Sequence, residues 1–243
     1  MDAIKTTALT KRYGELIAVD RLDLSITEGE TFALLGVNGA GKTTAIKMLS
    51  CLTLPSSGSA QVMGHDIVSD SLAVKGLINV SPQETAVAPN LSVRENLELI
   101  CALYGLGKAG RVQRADEMIE KLNLGGVEKK RASTLSGGWM RRLSIAMALI
   151  TEPKILFLDE PTLGLDVLAR RELWELIESL KAKMTVILTT HYLEEAEALS
   201  DRIGIMVSGR LVALGTAAQL KEQAGKDNFE DAFVALCRGG ARA

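Results

Sequence analysis

The stretch "TFALLGVNGAGKTTAIKML", residues 31–49, decides the fold of this chain. It opens with an apolar run typical of a buried strand, continues through a glycine-rich turn, and ends in a pattern typical of a helix. Its centre, "GVNGAGKTT" at residues 36–44, fits G-x-x-x-x-G-K-[ST], the pattern of a phosphate-binding loop between a strand and a helix. This context predicts an α/β fold with a mostly parallel sheet.

The loop predicts a site for a nucleoside triphosphate with Mg²⁺. Glycines let successive backbone N–H groups face the phosphates, and the start of the following helix adds a partial positive charge. Lys42 supplies a full positive charge between the β and γ positions, Thr43 is placed to bind Mg²⁺, and Thr44 is expected at the α-phosphate. ATP is favoured over GTP because the sequence contains no N-K-x-D base-reading motif. The residues predicted to bind ATP are Gly36, Val37, Asn38, Gly39, Ala40, Gly41, Lys42, Thr43 and Thr44.

Two acidic residues follow a second apolar run, "ILFLDEP" at residues 155–161. Asp159 and Glu160 are therefore expected at the carboxyl end of a buried strand, where open α/β sheets bind their ligands. Asp159 is predicted to hold Mg²⁺, and Glu160 is predicted to act as the general base that polarises the attacking water. Without the phosphate loop, a solvated acidic pair at a strand end would be the better interpretation.

A third motif, "TLSGGWMRRLSIAMALI" at residues 134–150, predicts an amphipathic helix that opens on two glycines. Each glycine costs about 1 kcal/mol relative to alanine inside a helix, so Gly137 and Gly138 need a reason. One reason is an anion at the helix start, whose free N–H groups and dipole attract negative charge. The other is a simple N-cap at Ser136 followed by glycines that pack against a neighbouring helix. The residues alone leave both open.

Composition narrows the class of protein. The chain has 243 residues, of which 47% are hydrophobic, so it can bury a substantial core. Its 28 basic and 30 acidic residues give a net charge of −2, and we expect no nucleic acid partner. No run of 18 apolar residues and no signal-like start occur, so we expect a chain that is neither secreted nor membrane-spanning. The cysteines and histidines have no zinc-like spacing.

The middle of the chain has a helical pattern, which predicts a helical subdomain inserted into the α/β core. Ser92 and Glu95 form a capping box that sets the first helix start, and the pattern ends near Leu124. Three glycines are expected to separate the first helix from a second, charged one: Gly105, Gly107 and Gly110.

The ends of the chain follow other patterns. The runs "AIKTTAL", "LIAV" and "LDLSI" predict an N-terminal antiparallel β subdomain. After the helical segment, strand and helix patterns alternate as "ILFLDEP", "LARRELWELIESLK", "MTVILTT" and "YLEEAEALS". A hairpin is expected at Ser208 and Gly209, and the final "RGGARA" is expected to be disordered.

The motifs together resemble a known family. "TLSGGWMRRLSIAMALITEPKILFLDEPTLGLD", residues 134–166, is similar to the signature-to-Walker B stretch of ABC ATPases, the nucleotide-binding subunits of ABC transporters. The similarity extends over residues 4–220 with all motifs in the family's order. It implies a P-loop NTPase fold and ATP hydrolysis to ADP and phosphate.

The resemblance also implies how the chain is divided. Residues 1–225 are expected to form one ABC ATPase domain, and residues 226–243 a C-terminal helix and tail. Within that domain, residues 1–90 and 151–225 would form the RecA-like core with the β subdomain. Residues 91–150 would form the helical subdomain that carries the signature motif.

Further site residues are implied by the same resemblance. In the family, the signature helix of one subunit covers the ATP held by another, so four residues are expected to contact the ATP of a second copy: Leu135, Ser136, Gly137 and Gly138. Tyr13 resembles the aromatic that stacks on adenine, and Asp166 resembles the D-loop aspartate that crosses the dimer interface. Gln83 resembles the glutamine that reaches Mg²⁺ and the water. His191 resembles the histidine that contacts the γ-phosphate.

One position departs from the family pattern. Trp139 stands where the family usually has glutamine. A hydrogen bond that the family assigns to that side chain is therefore not carried over to Trp139, and the tryptophan is expected to pack against the helical subdomain or a partner. Because Ser136, Gly137 and Gly138 are intact, contact with the partner's nucleotide is expected to survive.

The resemblance implies partners and a location. "LSVRENLELICALYGL" and "LTTHYLEEAEALSDRI" are most similar to ATPases of bacterial exporters of drugs, polysaccharides or lipids. We therefore expect an integral membrane permease and a second ATPase subunit as partners, and a cytoplasmic location at the inner face of the cell membrane. The alternative is a soluble regulatory ATPase that is not coupled to transport. A P-loop kinase would need an acceptor site, and none is found in the sequence.

Overall fold

Strands from both halves of the chain form the central sheet. The computed structural model describes residues 1–240. Its strands are β1 (Asp2–Tyr13), β2 (Leu16–Thr27), β3 (Thr31–Leu35), β4 (Ser57–Val62), β5 (His65–Asp66), β6 (Ile78–Ser81), β7 (Ile155–Asp159), β8 (Thr185–Thr190), β9 (Arg202–Val207) and β10 (Arg210–Gly215).

Six of these strands form a mostly parallel sheet in the order β10-β9-β3-β8-β7-β6. Strand β3 lies parallel to β8 and β9, and β7 lies parallel to β6 and β8; only β10 is antiparallel to its neighbour. Apolar side chains of β7 alternate between two cores, with Phe157 on one face and Leu158 on the other. Both faces are covered, which explains the unbroken apolar runs. The predicted α/β fold is confirmed.

The second sheet is antiparallel, in the order β2-β1-β4-β5, and confirms the predicted β subdomain. The prediction of separate "LIAV" and "LDLSI" strands was wrong, because both belong to the single strand β2. Asp20 and Arg21 between them do not end the strand. Arg21 has a positive φ of 50°, and the pairing shifts register nearby between Leu9 and Lys11 of β1. A β-bulge of this kind bends a strand without breaking it.

Some helices cover the two faces of the central sheet, and others belong to the helical segment in the middle of the sequence. They are α1 (Lys42–Leu49), α2 (Ser71–Leu77), α3 (Val93–Leu103), α4 (Lys108–Lys121), α5 (Gly137–Leu149), α6 (Val167–Leu180), α7 (Leu193–Leu199), α8 (Ala217–Ala224) and α9 (Phe229–Gly240). The predicted capping box at Ser92 is confirmed, with both reciprocal hydrogen bonds to Glu95 formed. Gly110 was wrongly placed in the break, because it lies inside α4.

The end of the chain differs from the prediction. Arg238 and Gly239 belong to α9, so the expected disorder of "RGGARA" was wrong there, while residues 241–243 lie outside the described residues. The buried Phe229 and Ala232 seat α9 in the core. The hairpin at Ser208 and Gly209 is confirmed, and both residues have the positive φ that such a turn requires.

Across residues 1–240, every helix is too short or too polar to span a lipid bilayer.

Candidate active site

The phosphate loop joins β3 to α1 and lines a cavity of about 700 Å³. At the start of α1, Gly41 has a φ of 101°, a backbone conformation that side chains rarely adopt, and the carbonyl of Ala18 occupies the space of a side chain there. Most predicted nucleotide and catalytic residues line this one cavity: Tyr13, Asn38, Gly39, Ala40, Gly41, Lys42, Thr43, Thr44, Gln83, Glu160 and His191. The sequence did not single out Leu16, Ile17, Ala18, Leu163 and Ser208, which also line it.

Lys42 is buried at the floor of the cavity, with 5% of its surface exposed. Its ammonium donates to the carbonyl of Gly36 at 2.7 Å and lies 3.1 Å from Oε1 of Glu160. The carbonyl of Val37 is 3.4 Å away. All three contacts are made by the flexible end of the side chain, so an anionic phosphate could take their place as an acceptor.

Oxygen ligands suited to Mg²⁺ lie beside the loop. Oγ1 of Thr43 donates to Oδ1 of Asp159 at 3.1 Å, and Oγ1 of Thr189 donates to the same oxygen at 2.5 Å. Mg²⁺ typically takes one or two protein oxygens and completes its shell with water and phosphate oxygens. Among residues 1–240 no group of three or more His, Cys, Asp or Glu side chains is placed to hold a metal ion. A hydroxyl beside a buried carboxylate therefore fits Mg²⁺.

Glu160 occupies the centre of the charged groups. It follows β7, and its φ of 47° is in the left-handed region, a strain that folds tolerate at functional sites. Its backbone N–H donates to the carbonyl and hydroxyl of Thr189, which fixes this turn. Its Oε2 lies 2.7 Å from Nδ1 of His191, so the carboxylate bridges Lys42 and His191.

Gln83 is exposed at the cavity wall, on the segment between β6 and α3. Its backbone carbonyl accepts a hydrogen bond of 2.8 Å from Arg141 of α5. Sequence reasoning missed Arg141, which reads as one of two adjacent arginines on the polar face of an amphipathic helix. Burial lowers the pKa of its guanidinium, and the charges of Asp159, Glu195 and Glu160 partly offset that effect.

The signature residues lie elsewhere. Ser136 is the N-cap of α5, but its side chain makes no capping hydrogen bond and is exposed. A Cβ at Gly138 would lie 3.1 Å from Cβ of Ala169 on α6, so close helix packing inside this chain explains that glycine. A Cβ at Gly137 would meet only Leu165, at an ordinary 3.7 Å. The structure therefore gives a packing reason for one glycine and not for the other.

A second recess of about 250 Å³ brings Ser136 and Gly138 together with Asp166 and Trp139. Asp166 caps α6 by accepting from the backbone N–H groups of Leu168 and Ala169, at 2.9 Å each. The Trp139 ring lies beneath the Arg142 guanidinium, 5.2 Å from its centroid, and packs against the core of the helical segment. Within residues 1–240 the two recesses share no lining residue.

A second buried carboxyl lies behind the site. Glu195 of α7 is fully buried and accepts a hydrogen bond of 3.2 Å from the indole N–H of Trp174. Burial raises the pKa of this carboxyl, and the hydroxyl of Thr190 and the indole partly counter that rise. Oε2 of Glu195 has no hydrogen-bond partner within the described chain.

Comparison with known sequences identifies the family. A sequence model of the ABC transporter family matches residues 19–163. The chain is 45% identical over 229 residues to the daunorubicin resistance ATP-binding protein DrrA3 of Streptomyces coeruleorubidus, covering 94% of this chain and 72% of that protein. The chain belongs to the ABC transporter family. The recognition made from the signature-to-Walker B stretch is confirmed.

Solved structures agree with this assignment. An ATP-binding subunit of an ABC transporter superposes on the chain with a TM-score of 0.85 and 28% identity, covering 96% of this chain and 99% of that one. A dimeric ATP-binding cassette in a post-hydrolysis state with bound ADP and Pi superposes with a TM-score of 0.79 and 27% identity, covering 88% and 98%. This ABC protein is an ATPase that uses ATP with Mg²⁺.

Proposed function

We propose that the cavity at the phosphate loop is the ATP site of an ABC transporter subunit and that the predicted residues act there in their family roles. Lys42, Thr44 and the loop amides hold the triphosphate, and Tyr13 at the open end faces the base. Thr43, Asp159 and Gln83 hold Mg²⁺, which when bound neutralises charge on the phosphate oxygens. The support is that Tyr13, Lys42, Thr43, Thr44 and Gln83 line one cavity. Asp159 lies beside it and accepts a hydrogen bond from Thr43.

Glu160 is the general base in this proposal. When phosphate draws the Lys42 ammonium away, the Glu160 carboxylate loses one of its two partners and can accept a proton from water. The water oxygen then bonds to the γ-phosphorus while the bond to the ADP oxygen breaks. His191 stays against Oε2 and holds the carboxylate in place, 2.7 Å away.

We further infer that each ATP is held by two copies of the chain. The single observation that carries this is that the recess lined by Ser136 and Gly138 shares no lining residue with the phosphate cavity. None of Leu135, Ser136, Gly137 and Gly138 lines the phosphate cavity of its own chain. A second copy packed head to tail would present its own phosphate loop to them. Ser136 and Gly137 are exposed and free to do so.

We propose that the work done by this cycle is export. The match to a relative named for daunorubicin resistance supports a drug-like cargo carried by a separate membrane permease. The chain would then sit at the cytoplasmic face of the membrane through that permease. A regulatory ATPase without a permease gains no support from the relatives.

We propose that the chain divides into a core with the β subdomain (1–90 and 151–225), a helical subdomain (91–150) and a C-terminal segment (226–243).

The experiment that tests the proposed export function is purification of the tagged chain from its native membrane under mild detergent. We expect an integral membrane protein to copurify and to raise the rate of phosphate release. A chain recovered alone, with ATPase activity that membrane fractions do not alter, would favour the regulatory alternative.

A further inference from the structure

Arg141 joins three parts of the chain that lie far apart in sequence. It projects from α5, the helix that Ser136 caps. Its Nη1 donates to the carbonyl of Pro82 at 2.6 Å, and its Nη2 donates to the carbonyls of Gln83 at 2.8 Å and Glu160 at 3.3 Å. One guanidinium thus ties the signature helix to the Gln83 segment and to the catalytic glutamate's own backbone.

Burying the charged guanidinium of Arg141 costs free energy, which a residue that only filled space would not require. Arg141 is 5% exposed, and within residues 1–240 it forms no ion pair. A buried charge is disfavoured unless its donors are satisfied, and an apolar side chain of similar volume is often more stabilising. Arginine offers several donors in a rigid planar fork, so it can hold acceptors from different segments at fixed positions.

The hydrogen bond from Arg141 to the carbonyl of Glu160 supports a strained part of the backbone. Glu160 has a φ of 47°, and such a conformation persists only when the surrounding structure holds it. Its N–H is held by Thr189, and its carbonyl is held by Arg141. A shift of α5 would therefore alter the support of Glu160 and move the backbone at Gln83 with it.

We propose that Arg141 is a positioning residue through which the position of the signature helix sets the placement of Gln83 and Glu160 for hydrolysis. The inference rests on the proposed function, in which the start of α5 meets the nucleotide of a second copy. Ser136 would contact the nucleotide held by the second copy. A movement of α5 caused by that contact would pass through Arg141 to Gln83 and Glu160, which belong to the ATP site of its own chain.

The test compares Arg141→Lys and Arg141→Gln in the full chain with a matched control, Arg111→Lys. Arg111 also donates to a backbone carbonyl, that of Leu106, but lies outside the site on α4. A lysine has one nitrogen and cannot reproduce the two-nitrogen grip, while a glutamine also removes the charge. We expect kcat to fall by about 10-fold to 100-fold with ATP affinity within about 2-fold, and the lysine variant to retain more activity than the glutamine variant.

Hydrogen–deuterium exchange supplies a readout that needs no turnover. We expect faster exchange in residues 83–90 of both Arg141 variants, with the phosphate loop unchanged. A kcat within about 2-fold of wild type, or a loss of ATP affinity that parallels the loss of kcat, would overturn the inference. If the wild type itself released no phosphate, the proposed function would fail, and unchanged exchange at residues 83–90 would separately refute the role of Arg141.

Discussion

The ammonium of Lys42 lies 3.1 Å from the carboxylate of Glu160, and each side chain is only 6% exposed. The residue expected to bind phosphate and the residue expected to activate water thus neutralise each other. A buried charge left without its partner is strongly unfavourable, so both must find new partners together. In the proposed mechanism the triphosphate is the new partner of Lys42, which would tie release of the Glu160 carboxylate to arrival of the substrate.

Glu160→Gln should separate binding from hydrolysis. The amide cannot accept the proton from water, and it no longer holds Lys42 by charge. We expect phosphate release to fall by at least about 100-fold while ATP affinity stays equal or rises. Single-turnover phosphate release and nucleotide titration check this. Glu197→Gln, an exposed change on α7, is the control and should behave as wild type. Normal turnover by the Glu160 variant would remove it from the role of base.

Lys42→Ala should abolish nucleotide binding. The change removes the only side-chain positive charge that lines the cavity in the described residues, so we expect ATP affinity to weaken by at least about 100-fold. Lys47→Ala, an exposed position on the same helix, is the matched control. Isothermal titration with ATP and Mg²⁺ decides the matter, and equal affinity in the two variants would refute the phosphate-loop assignment.

Gly137 and Gly138 should respond differently to alanine. Gly138→Ala places a Cβ 3.1 Å from that of Ala169, which requires α5 and α6 to move apart by a few tenths of an ångström, and we expect a lower free energy of unfolding than for Gly137→Ala. Gly137→Ala has room, so stability should be unchanged or slightly higher because alanine favours helix.

The ATPase rate of Gly137→Ala should fall even though its stability does not. If a partner's phosphates approach this backbone, Gly137→Ala should lower the ATPase rate in a protein that is fully stable. Urea denaturation and phosphate release are measured on the same samples. A stable Gly137→Ala variant with wild-type turnover would leave helix packing as the reason for the glycine pair.

Glu195 predicts how stability depends on pH. Its pKa is raised by burial, so the folded state holds this proton over a pH range in which the unfolded state has released it. In that range the folded state binds more protons than the unfolded state. The contribution to stability is therefore full below the unfolded pKa and is lost as pH rises through the folded pKa.

Glu195→Gln should remove that dependence. The neutral amide can still accept from the Trp174 indole, and it needs no proton to stay buried. We expect the variant to gain stability over wild type at pH 8 and to gain little or none at pH 5. Chemical denaturation at both values checks this. A gain that is equal at the two pH values would contradict a raised pKa at this carboxyl.

The elements that sequence reasoning predicted are those with strong local signals. Strand β7 is apolar from Ile155 to Leu158, and the helix start at Ser92 is marked by its own capping box. Strand β4, "SGSAQV", was missed because it is polar and exposed, and its pairing with β1 is a long-range choice that the local pattern does not encode. Gly110 misled because a single glycine is tolerated in a helix interior at a cost of about 1 kcal/mol.

The site residues that could be predicted are likewise those with a local sequence motif. The phosphate loop and the two acids at the end of β7 are recognisable from their spacing, and the structure places most of the loop and Glu160 around one cavity. Thr189 and Arg141 were missed because their importance lies in what the fold brings near them. A threonine at a strand end and an arginine on an amphipathic helix are ordinary in sequence, and only the tertiary contacts to Asp159 and Glu160 distinguish them.

If two chains complete each ATP site, two variants that are inactive alone should restore activity when mixed, and this complementation is the sharpest test of the proposed dimer. Ser136→Glu places a charge where the partner's phosphates would lie, and it removes no helix-capping hydrogen bond because Ser136 makes none. Each variant, Lys42→Ala or Ser136→Glu, should be inactive alone. A mixed dimer keeps one intact phosphate loop facing one intact signature helix.

Phosphate release is measured for each variant and for their equal mixture. We expect the mixture to recover about a quarter of wild-type activity, since half of the dimers are mixed and each has one complete site of two. Full turnover by Ser136→Glu alone, or no recovery on mixing, would contradict it.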